Sequence, residues 1–216
     1  MSEIYLGRIV AVAATPSGRA AALYRVSSRS FPNRQAEIAA NGESVAIVPK
    51  PEFESDIRKN PYIAYNCARL MAGKAVLANG SHADPVAEKI AMGMPVRDAL
   101  ALSLLAMDYE KDDYSTPRIA AVADPKEALG WLATVRKNGL DVRSFAFEPG
   151  KVIHLSTYDH NTPSVRHVSD FDAETAADAC EFVMGKGAFA LFTNPVTAVA
   201  AVQDPDGRFA LATLDR

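Results

Sequence analysis

Apolar residues in this chain alternate with polar or small ones over most of its length, and only a few stretches switch to a helical period. Residues 4–13 and 20–27 are β-rich runs on either side of the turn cluster Thr15-Pro16-Ser17-Gly18, which predicts a hairpin. Residues 44–49 predict a short strand. Residues 61–71 and 74–78 flank Ala72-Gly73 and predict a second hairpin. The period then changes. Ser81 and Asp84, followed by Pro85, mark a helix start with Ser or Asp as cap; Val86 and Ile90 give its apolar stripe and Gly93 its stop. Residues 96–110 predict a longer helix, with Leu100, Leu104 and Met107 on one stripe and Leu102 and Leu105 widening it, the pattern of a helix sandwiched between layers. Strands follow at 118–123, 130–135, 140–147 and 152–158, with the hairpin dipeptide Asn138-Gly139 between two of them. A third helix is predicted at 173–184, capped by Asp170 or Asp172 and stopped by Gly185 and Gly187. Strands at 188–193, 198–203 and 209–214 complete the pattern.

Consecutive hairpins with helices held in blocks imply an α+β fold with largely antiparallel sheets. About ten strands would strain one open sheet, so two stacked sheets are expected. No repeats or Pro/Ser-rich linkers interrupt the chain, and residues 1–216 are expected to form a single domain.

Composition narrows the function classes. With 49% hydrophobic and 23% charged residues the chain has material for a packed core, which excludes intrinsic disorder. A net charge of −3 gives no global attraction for nucleic acid or an anionic membrane, so any anion site must be local. The N-terminal residues carry no basic segment followed by an apolar one, and no apolar run approaches the roughly 18 residues of a membrane span. Cys67 and Cys180 are far apart, and His82, His154, His160 and His167 form no HExxH spacing. A soluble protein of a reducing, cytoplasmic compartment without metal is expected.

Four segments carry more polarity than a strand or turn needs. Arg25, Arg29 and Arg34 fall within ten residues, interleaved with Ser27, Ser28, Ser30 and Asn33, a local basic cluster suited to bidentate phosphate contacts; the alternative is a solvated loop paired with surface carboxylates. In residues 60–67, alternation puts Tyr65 and Cys67 on one strand face and Asn66 on the other, either as architecture or as a tyrosine aimed at a site. Asn79-Gly80-Ser81-His82 joins a strand to a helix, where backbone N–H groups favour an anion; simple capping, with His82 at the surface, is the other reading. Asp108, Glu110, Asp112 and Asp113 crowd the predicted end of the second helix, where carboxylates oppose the helix dipole. Glu110 there is an acid/base group, an arginine partner or part of an exposed acidic turn. Together the segments suit cofactor-free acid/base chemistry on a phosphorylated small molecule.

The segments 5–8 (YLGR), 24–34 (YRVSSRSFPNR), 60–67 (NPYIAYNC), 79–82 (NGSH), 102–111 (LSLLAMDYEK), 116–120 (TPRIA) and 192–198 (FTNPVTA) closely resemble the archaeal-type inosine monophosphate (IMP) cyclohydrolases, in family order and over almost the whole chain; residues 35–59 and 124–178 match poorly. The family has His where Asn194 stands, so no family role carries to that position. The resemblance implies a four-layer αββα fold like that of the N-terminal nucleophile hydrolases. It implies a hydrolase of the class acting on cyclic amidines, which closes 5-formamidoimidazole-4-carboxamide ribotide to IMP in purine biosynthesis and needs no cofactor. Within that reading, Tyr65 and Glu110 are the expected proton-transfer pair, with Asn66 orienting one of them. Arg34 and Arg29, with Ser28 and Asn33, are expected to hold the 5′-phosphate or the reacting carbonyl, and Asn79, Gly80, Ser81 and His82 to add donors. The expected partner is a small purine nucleotide, with neither nucleic acid nor membrane, in a homo-oligomer. A chain this long leaves no room for a transformylase domain, so the formylated substrate is expected from another protein. Two competing readings are a purine-nucleotide binder without catalysis, and an amide hydrolase using Ser2 as N-terminal nucleophile.

Overall fold

A computed structural model describes residues 4–216, so Ser2 lies outside the described residues. Its strands build two antiparallel sheets. The first has β1 (Ile9–Ala14), β2 (Ala20–Ser27), β10 (Lys151–Ser156), β11 (Val168–Asp170), β12 (Pro195–Gln203) and β13 (Phe209–Asp215), in the order β11-β10-β1-β2-β12-β13. The second runs in sequence order through β3 (Arg34–Ile38), β4 (Ser44–Pro49), β5 (Tyr65–Met71), β6 (Lys74–Ala78), β7 (Arg118–Asp124), β8 (Leu129–Arg136) and β9 (Gly139–Ala146). Four helices accompany them: α1 (Asp56–Lys59), α2 (Ala83–Ala91), α3 (Val96–Met107) and α4 (Ala176–Gly185).

The two-residue period decides which side chains fill which layer. Along β2, Ala20, Ala22, Tyr24 and Val26 join the core between the sheets, with Val10 and Val12 of β1 and Val45, Ile47, Tyr65, Leu77, Ile119 and Leu132 of the second sheet. The alternate residues Ala21 and Leu23 face the other way, against Cys180, Phe182 and Val183 of α4. The outer face of the second sheet is covered by Val86 and Ile90 of α2 and Leu100 and Leu104 of α3. The layers therefore follow the order helix, sheet, sheet, helices. No helix among the described residues is long and apolar enough to cross a membrane.

Antiparallel pairing and two stacked sheets match the sequence pattern; several boundaries do not. The segment before β1 is interrupted at Gly7, which adopts φ +71° and leaves only an isolated bridge from Ile4 to Phe192. Strands β3 and β11 were not expected, because β3 is a short edge strand with only Arg34 and Ala36 buried and β11 has three residues. The predicted strand 188–193 is instead a 3-10 turn, Gly187–Leu191, in which the Phe189 carbonyl meets a buried arginine. Helix α4 starts at Ala176 and is capped by Thr175, which forms a reciprocal capping box with Asp178; neither Asp170 nor Asp172 serves. Helix α2 starts at Ala83 with His82 at the cap position and no side-chain cap; neither Ser81 nor Asp84 serves, and Asp84, already inside the first turn, pairs with Arg69 and Asn66. Helix α3 buries one face only, leaving Leu102, Leu105 and Met107 exposed, and it ends at Met107, where Asp108 turns to φ 55°.

Candidate active site

Strands of both sheets end together on one side of the sandwich. In the second sheet Arg34 opens β3, Tyr65 opens β5, Asn79 and Gly80 follow β6, and Arg118 opens β7. In the first sheet Arg8 precedes β1, Ser28 follows β2, and Tyr158 lies just past β10; Ile9 pairs with both Arg25 and Ser156, which brings these three ends side by side. A cavity of about 310 Å³ opens there, lined by Arg8, Ser28, Arg29, Arg34, Asn60 and Tyr158 among others. A smaller recess of about 30 Å³ is lined by Tyr65, Gly80, Ser81, Glu110, Arg118 and Tyr62. Arg8 belongs to the larger space and Glu110 to the smaller, and their side chains lie 3.9 Å apart.

Glu110 does not sit on a helix end. It occupies the loop between α3 and β7, its N–H donating to the Thr116 carbonyl at 2.9 Å. That loop is tied by Asp112, which accepts from the Thr116 N–H and hydroxyl, and by Arg118, whose Nε donates to the Asp108 carbonyl at 2.8 Å. The carboxylate is 1% exposed and has no hydrogen-bond donor among the described residues. Guanidinium groups approach it from two sides, Arg8 at 3.9 Å and Arg118 at 3.8 Å. Burial pushes its pKa up to about 7, with the two arginines opposing that rise. Burial pulls Arg8 downward, but Glu110 and the surrounding phenols hold it above the ordinary arginine value.

Tyr65 points into the core between the sheets, and its hydroxyl meets that of Tyr24 at 2.6 Å. Burial raises the Tyr65 phenol above its ordinary value, while Arg34, Arg8 and the Tyr24 hydroxyl act to lower it. Arg34 is 1% exposed; its Nε donates to the Phe31 carbonyl at 3.0 Å and its Nη1 is buried without a partner among the described residues. Arg29, in contrast, is exposed at the cavity mouth with its guanidinium 4.0 Å from the centre of the Tyr5 ring. Tyr5 also stacks near Tyr158, which passes so close to Gly7 that a Cβ there would stand 2.8 Å from the Tyr158 ring. Ser28 accepts from the Phe31 N–H and donates its own N–H to the carbonyl of Asn194.

The arginine cluster of residues 25–34 therefore divides. Arg29 and Arg34 reach the cavity. Arg25 does not: strand alternation turns it to the opposite face of the first sheet, where it is fully buried and donates to the carbonyls of Val183, Phe189, Phe192 and Thr193. Asn33 is half-buried and does not line the cavity.

Other expected residues are committed elsewhere. Asn66 faces away from Tyr65 and donates to Asp84, so its side chain cannot orient the tyrosine; Tyr24 occupies that position instead. Asn79 bridges to β7, donating to the Pro117 carbonyl and accepting from the Ile119 N–H. His82 is not at the surface but fully buried, with Nε2 2.9 Å from the Ile119 carbonyl; burial, aided by Arg118, takes its pKa down to about 3 and keeps the ring neutral. Gly80 and Ser81 do border the recess. At Gly80 a Cβ would lie 2.6 Å from Arg118 Nη1, so a larger residue there would push the guanidinium aside.

The residues that sequence reasoning passed over are Arg8, Arg118, Tyr24 and Tyr158. Arg8, Tyr24 and Arg118 lie within matched segments and Tyr158 within a poorly matching one, and only folding gathers them. Cavity and recess together present the Glu110 and Asp112 carboxyls, several phenols and several guanidiniums, which can bind a phosphorylated ligand and shuttle protons.

The sequence profile of the family described as IMP cyclohydrolase-like protein matches residues 5–207. The IMP cyclohydrolase of Methanosphaera stadtmanae is 48% identical over 198 residues, which is 92% of this chain and 94% of that protein. The IMP cyclohydrolase of Methanococcus maripaludis is 45% identical over 211 residues, 98% of this chain and 100% of that protein. That of Methanocella arvoryzae is 46% identical over 203 residues, 94% of each chain. On the extent of these matches, the chain belongs to the IMP cyclohydrolase-like protein family.

Proposed function

We propose that the protein is an IMP cyclohydrolase of purine biosynthesis, closing 5-formamidoimidazole-4-carboxamide ribotide to IMP with release of water. The observation that carries this reading is the Glu110 carboxylate, buried without a donor between Arg8 and Arg118 in the same recess as Tyr65. A pKa of about 7 suits a group that must both take and return a proton near neutrality.

Depth within the cavity supports a division of labour. Arg29 at the mouth, with Ser28 and Ser30 beside it, holds the 5′-phosphate, while buried Arg34 faces the reacting end. The cavity holds the carboxamide against the formyl group, which turns a difficult encounter into a local one. Glu110 takes a proton from the carboxamide nitrogen as that nitrogen bonds to the formyl carbon. Tyr65 protonates the formyl oxygen, giving a carbinolamine, and Arg34 and Arg8 steady the phenolate left behind. In the second step the Glu110 acid gives its proton to the departing hydroxyl, and the phenolate takes the proton of the formamido nitrogen. Both groups end as they began. Gly80 and Ser81 border the reacting end; Asn33, Asn66, Asn79 and His82 support the site through the scaffold.

The reading treats residues 1–216 as one domain, its layer order similar to that of the N-terminal nucleophile hydrolases, in a cytoplasmic homo-oligomer. The test is spectrophotometric: purified protein is mixed with the formylated ribotide and ring closure is followed by absorbance. Turnover dependent on Glu110 supports the assignment; binding of IMP without turnover would sink it.

A further inference from the structure

The geometry points to Tyr24 as a positioning residue that fixes the direction of the Tyr65 hydroxyl proton, so that Tyr65 enters the reaction as a donor. This rests on the role of Tyr65 proposed above. Tyr24 itself lines neither the cavity nor the recess, and it is completely buried on the inner face of β2. Its register neighbours are Val10 on β1 and Val199 on β12, both fully buried and apolar.

Two phenols 2.6 Å apart share one hydrogen bond but carry two protons. One proton lies between the oxygens; the other must find an acceptor or remain unpaired. The Tyr24 hydroxyl has Tyr65 as its hydrogen-bond partner and no second acceptor among the described residues. If Tyr65 donated, the Tyr24 proton would be stranded in a dry core, with the full cost of desolvation. If Tyr24 donates, the proton left over belongs to Tyr65, the one of the two tyrosines that lines the recess. The second arrangement is the stable one. When Tyr65 has given its proton to the substrate, the Tyr24 hydroxyl already points at the phenolate oxygen and needs no reorientation.

Tyr24→Phe removes one oxygen, and the tyrosine that loses its partner is the one that lines the recess. The experiment compares Tyr24→Phe, Tyr65→Phe and the double variant in the ring-closure assay, with folding checked by thermal melting. Tyr24→Phe is expected to lower kcat about tenfold with KM unchanged. In the Tyr65→Phe background the same change is expected to add nothing, since Tyr24 acts through Tyr65. A Tyr24→Phe protein with unmodified kcat, or one that costs the same factor with Tyr65 already removed, overturns the inference. Full activity of Tyr65→Phe would instead overturn the role given to Tyr65. A second measurement uses the unmodified protein: with ¹³Cζ-labelled tyrosine, the slowly exchanging hydroxyl proton should couple to the Tyr24 ring, and coupling to the Tyr65 ring would reverse the assignment.

Discussion

The Glu110 carboxylate and the Arg118 guanidinium stand 3.8 Å apart, close enough to attract and too far to hydrogen-bond. The spacing has an identifiable origin. Arg118 spends its Nε on the Asp108 carbonyl, and Gly80 leaves room for Nη1 alongside. The acid is thus steadied by charge while its oxygens remain available to a substrate. Glu110→Gln is expected to lower kcat by about 10²- to 10⁴-fold with a smaller effect on KM. In the unmodified enzyme the rate should rise with pH through about 7 as the carboxyl ionises, and that limb should vanish in the variant.

The same residue predicts a pH dependence of stability. An unfolded glutamate titrates at its ordinary value of 4.5, the folded one at about 7. Below 4.5 the group is protonated in both states. As pH rises through 7 the folded protein must ionise a buried carboxyl that the unfolded chain ionised earlier, so stability is lost over that window. Denaturant unfolding across pH 4 to 8 should show the unmodified protein losing up to about 3 kcal/mol relative to Glu110→Gln. A constant difference between the two would refute the placement of Glu110.

Arg29 and Arg34 should separate kinetically. Arg29→Ala, at the mouth, is expected to raise KM by about tenfold and to leave kcat nearly unchanged. Arg34→Lys is expected to lower kcat, because an ammonium lacks the planar fork that could hold the Phe31 carbonyl and also serve the reacting end in the proposed mechanism. Steady-state kinetics on both variants decides the matter; interchanged effects would mean the substrate lies the other way round.

Arg25→Met serves as the contrasting case. It removes a guanidinium that satisfies carbonyls of α4 and the following turn, leaving them buried and unpaired. A loss of about 3 kcal/mol or more in unfolding free energy is expected, with KM unaltered in whatever fraction remains folded. A raised KM would return Arg25 to the binding site.

Gly80→Ala tests packing around the recess. The new methyl would stand 2.6 Å from Arg118 Nη1, so the guanidinium must move away from Glu110. Activity should fall well beyond the fall in melting temperature, since the atom displaced is the end of a flexible side chain, which gives way at little cost but leaves its place beside Glu110.

Period-two alternation made the antiparallel sheets and their stacking legible, and the turn dipeptides placed most hairpins. Edge elements were not legible: Arg34 to Ile38 bury too little to show a pattern, and Gly187 to Leu191 are held by Arg25 from across a layer. At the site, Tyr65, Glu110, Arg29 and Arg34 could be singled out because each is too polar for its surroundings. Arg8 and Arg118 could not, since a lone arginine at a strand start looks like any surface cation until the two sheets meet. Asn79 and His82 misled for the converse reason. Their polarity serves the backbone of β7, a need that local sequence does not display.

The hydrogen bond between Tyr24 and Tyr65 runs from one sheet to the other, so its length is set by the thickness of the interior between them. That thickness is filled by side chains such as Val26, Ile119 and Leu155, packed at a density that yields little. One extra methyl among them would pry the layers apart and stretch a 2.6 Å contact long before the chain unfolds. On the role proposed for Tyr65, the interior works as a gauge block for the chemistry at its end. Hydrostatic pressure and thermal expansion, which alter that dimension directly, would then tune turnover without touching a residue of the cavity.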